Sequence, residues 1–229
     1  MTHDVIVVGS GPAGANAAAA LVERGRQVLL LDVGETDDAY GRLIPEQPFS
    51  EVRRGDPDQH RYFLGDDFEG VPTPGVRVGA QLTPPRLYVT RPPPSAVVAA
   101  IESPTFRAAE SFALGGLGNA WGAGVFEFDE HELADWPLGA GELRPHYEAV
   151  AARIGVAAAD DDLARFTPRP AASLPPLDID TNASRVLDRY LRRRERLNAR
   201  GFYMGRVPLA VSTAPHRARA WQRHRTGRQ

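Results

Sequence analysis

Six residues near the start of the chain, Gly9-Ser10-Gly11-Pro12-Ala13-Gly14, put glycine at the first, third and sixth positions, and Asp32 stands 18 residues after the last of them. Residues of these types at this spacing can hold a dinucleotide. Gly9 permits a tight turn, Gly11 lets the backbone approach a pyrophosphate with no Cβ in the way, and Gly14 lets a helix pack closely on the preceding strand. The helix then turns its N-terminal amides and the positive end of its dipole toward the phosphates. A carboxylate at Asp32 accepts hydrogen bonds from ribose hydroxyls and repels a 2′-phosphate, which disfavours NADP.

The glycine spacing is a weak signal by itself, since any strand–helix turn of an α/β sheet can show it. Its flanks give it weight. Asp4-Val5-Ile6-Val7-Val8 is a short β-branched run ended by glycine, which predicts a strand buried on both faces of a parallel sheet. Ala13–Arg24 is alanine-rich and predicts a helix, with Gly25 placed as its C′ residue. Val28-Leu29-Leu30-Leu31-Asp32 predicts a second buried strand, completing a β-α-β unit. Spacing leaves the choice between FAD and NAD open. Gly34, close behind the acid, matches the ending seen in many flavoproteins of the glutathione-reductase-like type.

A second cluster, Gly115-Gly116-Leu117-Gly118-Asn119-Ala120-Trp121-Gly122-Ala123-Gly124, follows about eighty residues later. With Ser111-Phe112-Ala113-Leu114 before it, this stretch resembles the flavin-contacting loop of the glucose–methanol–choline (GMC) oxidoreductases. Two further stretches are similar to that family: Asp135-Trp136-Pro137-Leu138-Gly139 with Glu142-Leu143-Arg144-Pro145-His146-Tyr147-Glu148, and Gly205-Arg206-Val207-Pro208-Leu209-Ala210-Val211. The resemblance runs from Asp4 to about Val211. It implies an α/β fold with a Rossmann-like, three-layer FAD/NAD(P)-binding domain, here incomplete and joined to part of a substrate domain. It also implies noncovalent FAD, because Ala120 stands where some members carry a flavin-linking histidine. Leu117 departs from the small residue usual there.

A glycine-rich loop suits a flat ring system because backbone can approach it directly. Its amides would favour the negative charge of a reduced flavin. On this reading Gly9, Ser10, Gly11, Pro12, Ala13, Gly14, Asp32, Gly34, Gly115, Gly116, Gly118, Asn119, Ala120, Trp121 and Gly122 are the expected cofactor residues, Asn119 as a polar contact and Trp121 as a wall. The plainer alternative for the second cluster is a surface loop with Trp121 as ordinary core. The activity implied is hydride transfer from an alcohol CH–OH to flavin, with an alcohol substrate and an electron acceptor as partners. Other two-domain flavoproteins, a monooxygenase or an amine oxidase, are the alternative, as is a flavin-binding fragment without turnover.

No catalytic residue is assigned. The resemblance implies that the catalytic pair belongs to a C-terminal segment, expected to lie beyond this stretch. His60, His131, His146, His216 and His224 read as surface histidines. Glu127, Asp129, Glu130 and Glu132 read as a solvated acidic turn, with no histidine spacing for a metal. The expected domains are an FAD-binding portion over 1–130, a helical and linker region with the start of a substrate domain over 131–211, and an irregular tail over 212–229. Within these, 86–89 predicts a short strand, Glu142–Ile154 a helix, 157–176 a loop or linker, Asn182–Ala199 one amphipathic helix, and 205–211 a strand.

The composition excludes several classes. Zero cysteines among 229 residues rule out disulfides, thiolate metal sites and a cysteine nucleophile. No apolar run reaches the roughly 20 residues of a membrane span, and no signal peptide is visible, so a cytoplasmic protein is expected, with no membrane partner. Charge divides sharply: all 27 basic residues are arginine, and 13 of them fall in 185–229 against only Asp188 and Glu195. That stretch lacks the interleaved aromatics of a single-strand binding groove, so no nucleic-acid partner is expected. The tail after Ala214 has no hydrophobic period, and the expectation is a shifted or prematurely ended reading frame.

Overall fold

A computed structural model describes residues 2–37, 45, 49–68, 87–92, 104–105 and 109–214. Strands β1 (Val5–Val8) and β2 (Val28–Leu31) pair in parallel, with Val5 opposite Val28 and Val8 opposite Leu31. The helices are α1 (Pro12–Glu23), α2 (Phe49–Gly55), α3 (Arg61–Leu64), α4 (Ala140–Ile154), α5 (Thr181–Leu191) and α6 (Arg194–Asn198). The chain divides into two compact units. Residues 38–44, 69–86 and 93–103 of the proline-rich stretch lie outside the described residues. So does the arginine tail from 215, with His216 and His224.

The first unit contains β1, α1, β2, α3 and the loops up to Gly122. Pro12 opens α1 at a position where its missing N–H would have had no partner. Gly25 ends it in the left-handed region, with the Arg26 amide returning to the Leu21 carbonyl at 3.0 Å. Helix α1 covers the sheet face that carries Val7. Farther along, a 3₁₀ turn over Leu87–Val89 packs on another over Gly116–Asn119 and buries Val89 completely, near the buried Ala113 and Ala120.

The second unit contains α2 and residues from Ala123 onward. Its core gathers Val52 of α2, Leu133, Ala151 of α4, the run Val156–Ala159, and Tyr190 of α5. Ala157 is bridged on two sides, parallel to Leu174 and antiparallel to Leu209. Helix α4 starts at Gly139, whose amide donates to Glu142, while the Ala140 amide donates to Glu130. Two acids of the expected solvated turn and helix start therefore cap α4.

Several expectations need correction. The strands are not buried on both faces: Ile6 is 58% and Val8 81% exposed, and among the described residues the sheet has two strands with α1 on one side. The expected strand at 86–89 is a 3₁₀ turn over its described part, with the Thr90 and Arg91 amides closing back on the Leu87 carbonyl. The expected loop or linker at 157–176 is irregular apart from a 3₁₀ turn over Asp162–Arg165, but its start, Ala157–Ala159, is buried in the core of the second unit. The expected helix over 182–199 divides at Arg192–Arg193. No apolar side chain between Leu191 and Leu197 holds that stretch of three successive arginines down, and the turn tightens to a 3₁₀ bond from the Arg193 amide to the Tyr190 carbonyl. The expected strand at 205–211 is reduced to isolated pairings at Leu209.

Candidate functional site

The first glycine turn can be taken residue by residue. Gly9 follows β1 with φ +95°, a conformation L side chains rarely adopt, and its amide donates to the Leu31 carbonyl at 2.7 Å. Gly14 lies against this turn so closely that a Cβ there would sit 2.0 Å from the Gly9 carbonyl oxygen and 3.4 Å from Val7. Both glycines are therefore required by the chain itself. Gly11 is different. It caps α1 with φ −59° and ψ 171°, angles open to any residue, and among the described residues a Cβ would meet only the Gly115 oxygen, at an ordinary 3.9 Å. Among the described residues no neighbour demands glycine at 11, and its backbone stands beside the N-terminus of a twelve-residue helix.

Asp32 is exposed at the end of β2 and fixed by two backbone amides. Ser10 donates to its Oδ2 at 2.5 Å and Gly34 to its Oδ1 at 2.7 Å. The carboxylate thus ties the tip of the second strand to the glycine turn after the first, with lone pairs left on each oxygen. Pro12 and Ala13 begin α1 directly beside them.

The second glycine cluster packs on the first within the same unit. Gly115 (φ +86°) and Gly116 (φ +59°) take left-handed angles, and Gly116–Asn119 winds into its 3₁₀ turn. A Cβ at Gly116 would lie 3.3 Å from the Gly11 Cα, and one at Gly118 would lie 2.9 Å from the Pro12 ring. The Gly115 amide donates to the Ser10 hydroxyl at 2.8 Å. A short parallel pairing adds to this, with the Glu35 amide on the Phe112 carbonyl and the Leu114 amide on the Glu35 carbonyl. The Asn119 amide group is engaged inside the loop, donating to the Leu114 carbonyl at 2.8 Å and the Gly116 carbonyl at 3.0 Å. Ala120 is buried, Trp121 is half-exposed, and a Cβ at Gly122 would meet nothing.

The remaining chemical groups lie elsewhere. His60 stacks on Phe68 with ring centroids 4.5 Å apart, and His131 and His146 are exposed. Among the described residues no cluster of three or more His, Cys, Asp or Glu could hold a metal. Asp129 accepts from the His131 and Glu132 amides. Burial pushes the Glu127 carboxyl up, against the pull of Arg144. One polar cluster in the second unit lies outside the expected site residues. There Asp162 receives the fork of Arg194, the Tyr190 hydroxyl and the Asn198 amide. The Arg194 fork, with Tyr190, holds the Asp162 carboxyl far below the usual carboxylate range, and burial raises Tyr190. Residues four apart, 190, 194 and 198, carried the only sequence signal for this cluster.

A family model of the NAD(P)-binding Rossmann-like domain matches residues 7–36. That span holds the glycine turn, α1, β2, Asp32 and Gly34. No curated protein matches the chain. Residues 7–36 are thus a Rossmann-like nucleotide-binding unit in a mixed α/β chain, of the kind used by oxidoreductases, flavoproteins among them. Among the described residues, no helix is long and apolar enough to cross a membrane.

Proposed function

We propose that the chain is the nucleotide-binding part of an FAD-dependent oxidoreductase of the GMC type, acting on the CH–OH group of an alcohol. The observation that carries the reading is Gly11: two glycines of the motif serve the fold, while the third leaves bare backbone at the start of α1, where a pyrophosphate fits. Support for FAD over NAD comes from the second glycine loop. It resembles a flavin-contacting loop in sequence, and it lies against Gly11 and Pro12 rather than elsewhere on the chain.

In this reading the α1 amides and Gly11 hold the pyrophosphate, Asp32 holds the ribose, and the 115–118 backbone faces the flavin half. A bound flavin supplies the hydride acceptor. The chain's own residues bind and orient it, and none is assigned as the base. The alcohol and the electron acceptor that would reoxidise the flavin are part of the proposal.

The test is titration of the purified chain with FAD, NAD⁺ and NADP⁺, following flavin absorption retained through gel filtration. FAD is expected to bind, weakly, and NADP⁺ least well. Anaerobic primary or secondary alcohols are expected to leave the bound flavin unbleached. NAD⁺ held in preference to FAD overturns the flavin reading. Bleaching by an alcohol would mean that a residue of this chain serves as the base.

A further inference from the structure

The two glycine loops are 105 residues apart in sequence, yet one side chain joins them. The Ser10 hydroxyl accepts the Gly115 amide at 2.8 Å, while the Ser10 backbone amide donates to Asp32. Ser10 therefore stands between the strand-end carboxylate and the second loop. Asn119 sets that loop's internal shape through the Leu114 and Gly116 carbonyls, but makes none of these links to the first turn. The packing of Gly116 and Gly118 on Gly11 and Pro12 is tight enough that a shift of Gly115 moves the surface facing the α1 N-terminus.

We infer that Ser10 is a positioning residue: its hydroxyl latches the Gly115–Gly118 loop onto the nucleotide turn, so that one ligand can span both loops. The inference rests on the dinucleotide reading above, and it separates the ligand into halves. An ADP moiety engages the first turn and Asp32 only. A whole dinucleotide also needs the second loop in place, which the latch provides before binding. A hydrogen bond of this kind shifts an equilibrium by about three- to tenfold.

The test compares the full chain with its Ser10→Ala and Ser10→Thr variants. Amide hydrogen exchange is the ligand-free measurement. In Ser10→Ala the Gly115 amide is expected to exchange about three- to tenfold faster, while the Gly9 amide, bonded to the Leu31 carbonyl, keeps its protection and reports an intact β1–β2 pair. Ser10→Thr, which keeps a hydroxyl, is expected to restore protection at Gly115. In titrations, Ser10→Ala is expected to weaken FAD about three- to tenfold more than it weakens ADP. Unchanged exchange at Gly115 in a folded Ser10→Ala overturns the latch. Equal weakening of ADP and FAD places Ser10 at the pyrophosphate alone and also overturns it. If the unaltered chain binds ADP but not FAD, the flavin reading fails and the exchange result alone decides the latch.

Discussion

Gly11 and Gly14 belong to one motif, yet alanine at the two positions should do opposite things. At Gly14 the new methyl would overlap the Gly9 carbonyl oxygen at 2.0 Å, and reaching ordinary contact at 3.4 Å means separating α1 from the turn by about 1.4 Å. The obstacle is backbone, and Gly9 is itself fixed at φ +95°, so neither side yields easily. Overpacking of this kind costs about 1–3 kcal/mol, and this geometry belongs at the upper end. With a urea m-value of about 1–3 kcal/mol/M, the unfolding midpoint should fall by roughly 1 M or more. At Gly11 the methyl finds ordinary space and permitted angles, so stability should change by no more than about 1 kcal/mol, the scale of an N-cap exchange. On the proposed reading the same methyl stands where a pyrophosphate approaches backbone, and ADP affinity should fall by at least about tenfold, or ~1.4 kcal/mol. Urea unfolding of the full chain and ADP titration of both variants measure the pair. A Gly11→Ala chain that binds ADP like the unaltered one, or unfolds as easily as Gly14→Ala, refutes the division of the motif into fold glycines and a ligand glycine.

Two other changes test the carboxylates. Asp32→Asn turns a carboxamide NH2 toward either the Ser10 or the Gly34 amide, donor against donor, which should cost about 1 kcal/mol in this exposed setting. By removing the charge it should also narrow the preference for ADP over 2′-phospho-ADP in competition titrations. Asp162 has a depressed carboxyl in the folded chain, so its contribution to stability is full above the unfolded value near 4 and is lost progressively as pH falls toward the folded one. Unfolding midpoints measured between pH 5 and pH 3 should fall for the unaltered chain, and fall less steeply for Asp162→Asn, whose stability is already lower at pH 7.

What could be read from the sequence follows from how local each signal is. The β1–α1–β2 unit was legible because glycine angles, the alanine-rich helix and the C′ glycine are each fixed by neighbours within a few residues. Helix α4 was legible for the same reason, through Leu143, Tyr147, Val150 and Ile154. The run Val156–Ala159 was not. Small residues beside three aspartates look solvated, and only the pairings with Leu174 and Leu209, 17 and 52 residues beyond Ala157, bury them. The 3₁₀ turn at Leu87–Val89 likewise owes its form to packing on the Gly116–Asn119 turn. Exposure of the β1–β2 face escaped the pattern too, since Ile6 and Val8 carry the same residue types whether or not a layer covers them.

The two glycine clusters bring these lines together. Read separately, each has a bland explanation, a strand–helix turn and a surface loop. The structure speaks against the second, because a Cβ at Gly118 would press on the Pro12 ring, Gly116 takes a left-handed φ against Gly11, and the Gly115 amide is held by Ser10. A loop free at the surface would meet neither constraint. The bland account of the first then has to explain why backbone angle at 9 and 116 and close packing at 14 and 118 ask for glycine, while position 11, at their centre, has no neighbour among the described residues that would exclude alanine. A ligand that approaches the α1 N-terminus through that gap explains the pattern with one cause. The paired alanine variants at 11 and 14 test it on a chain with no cofactor identified in advance.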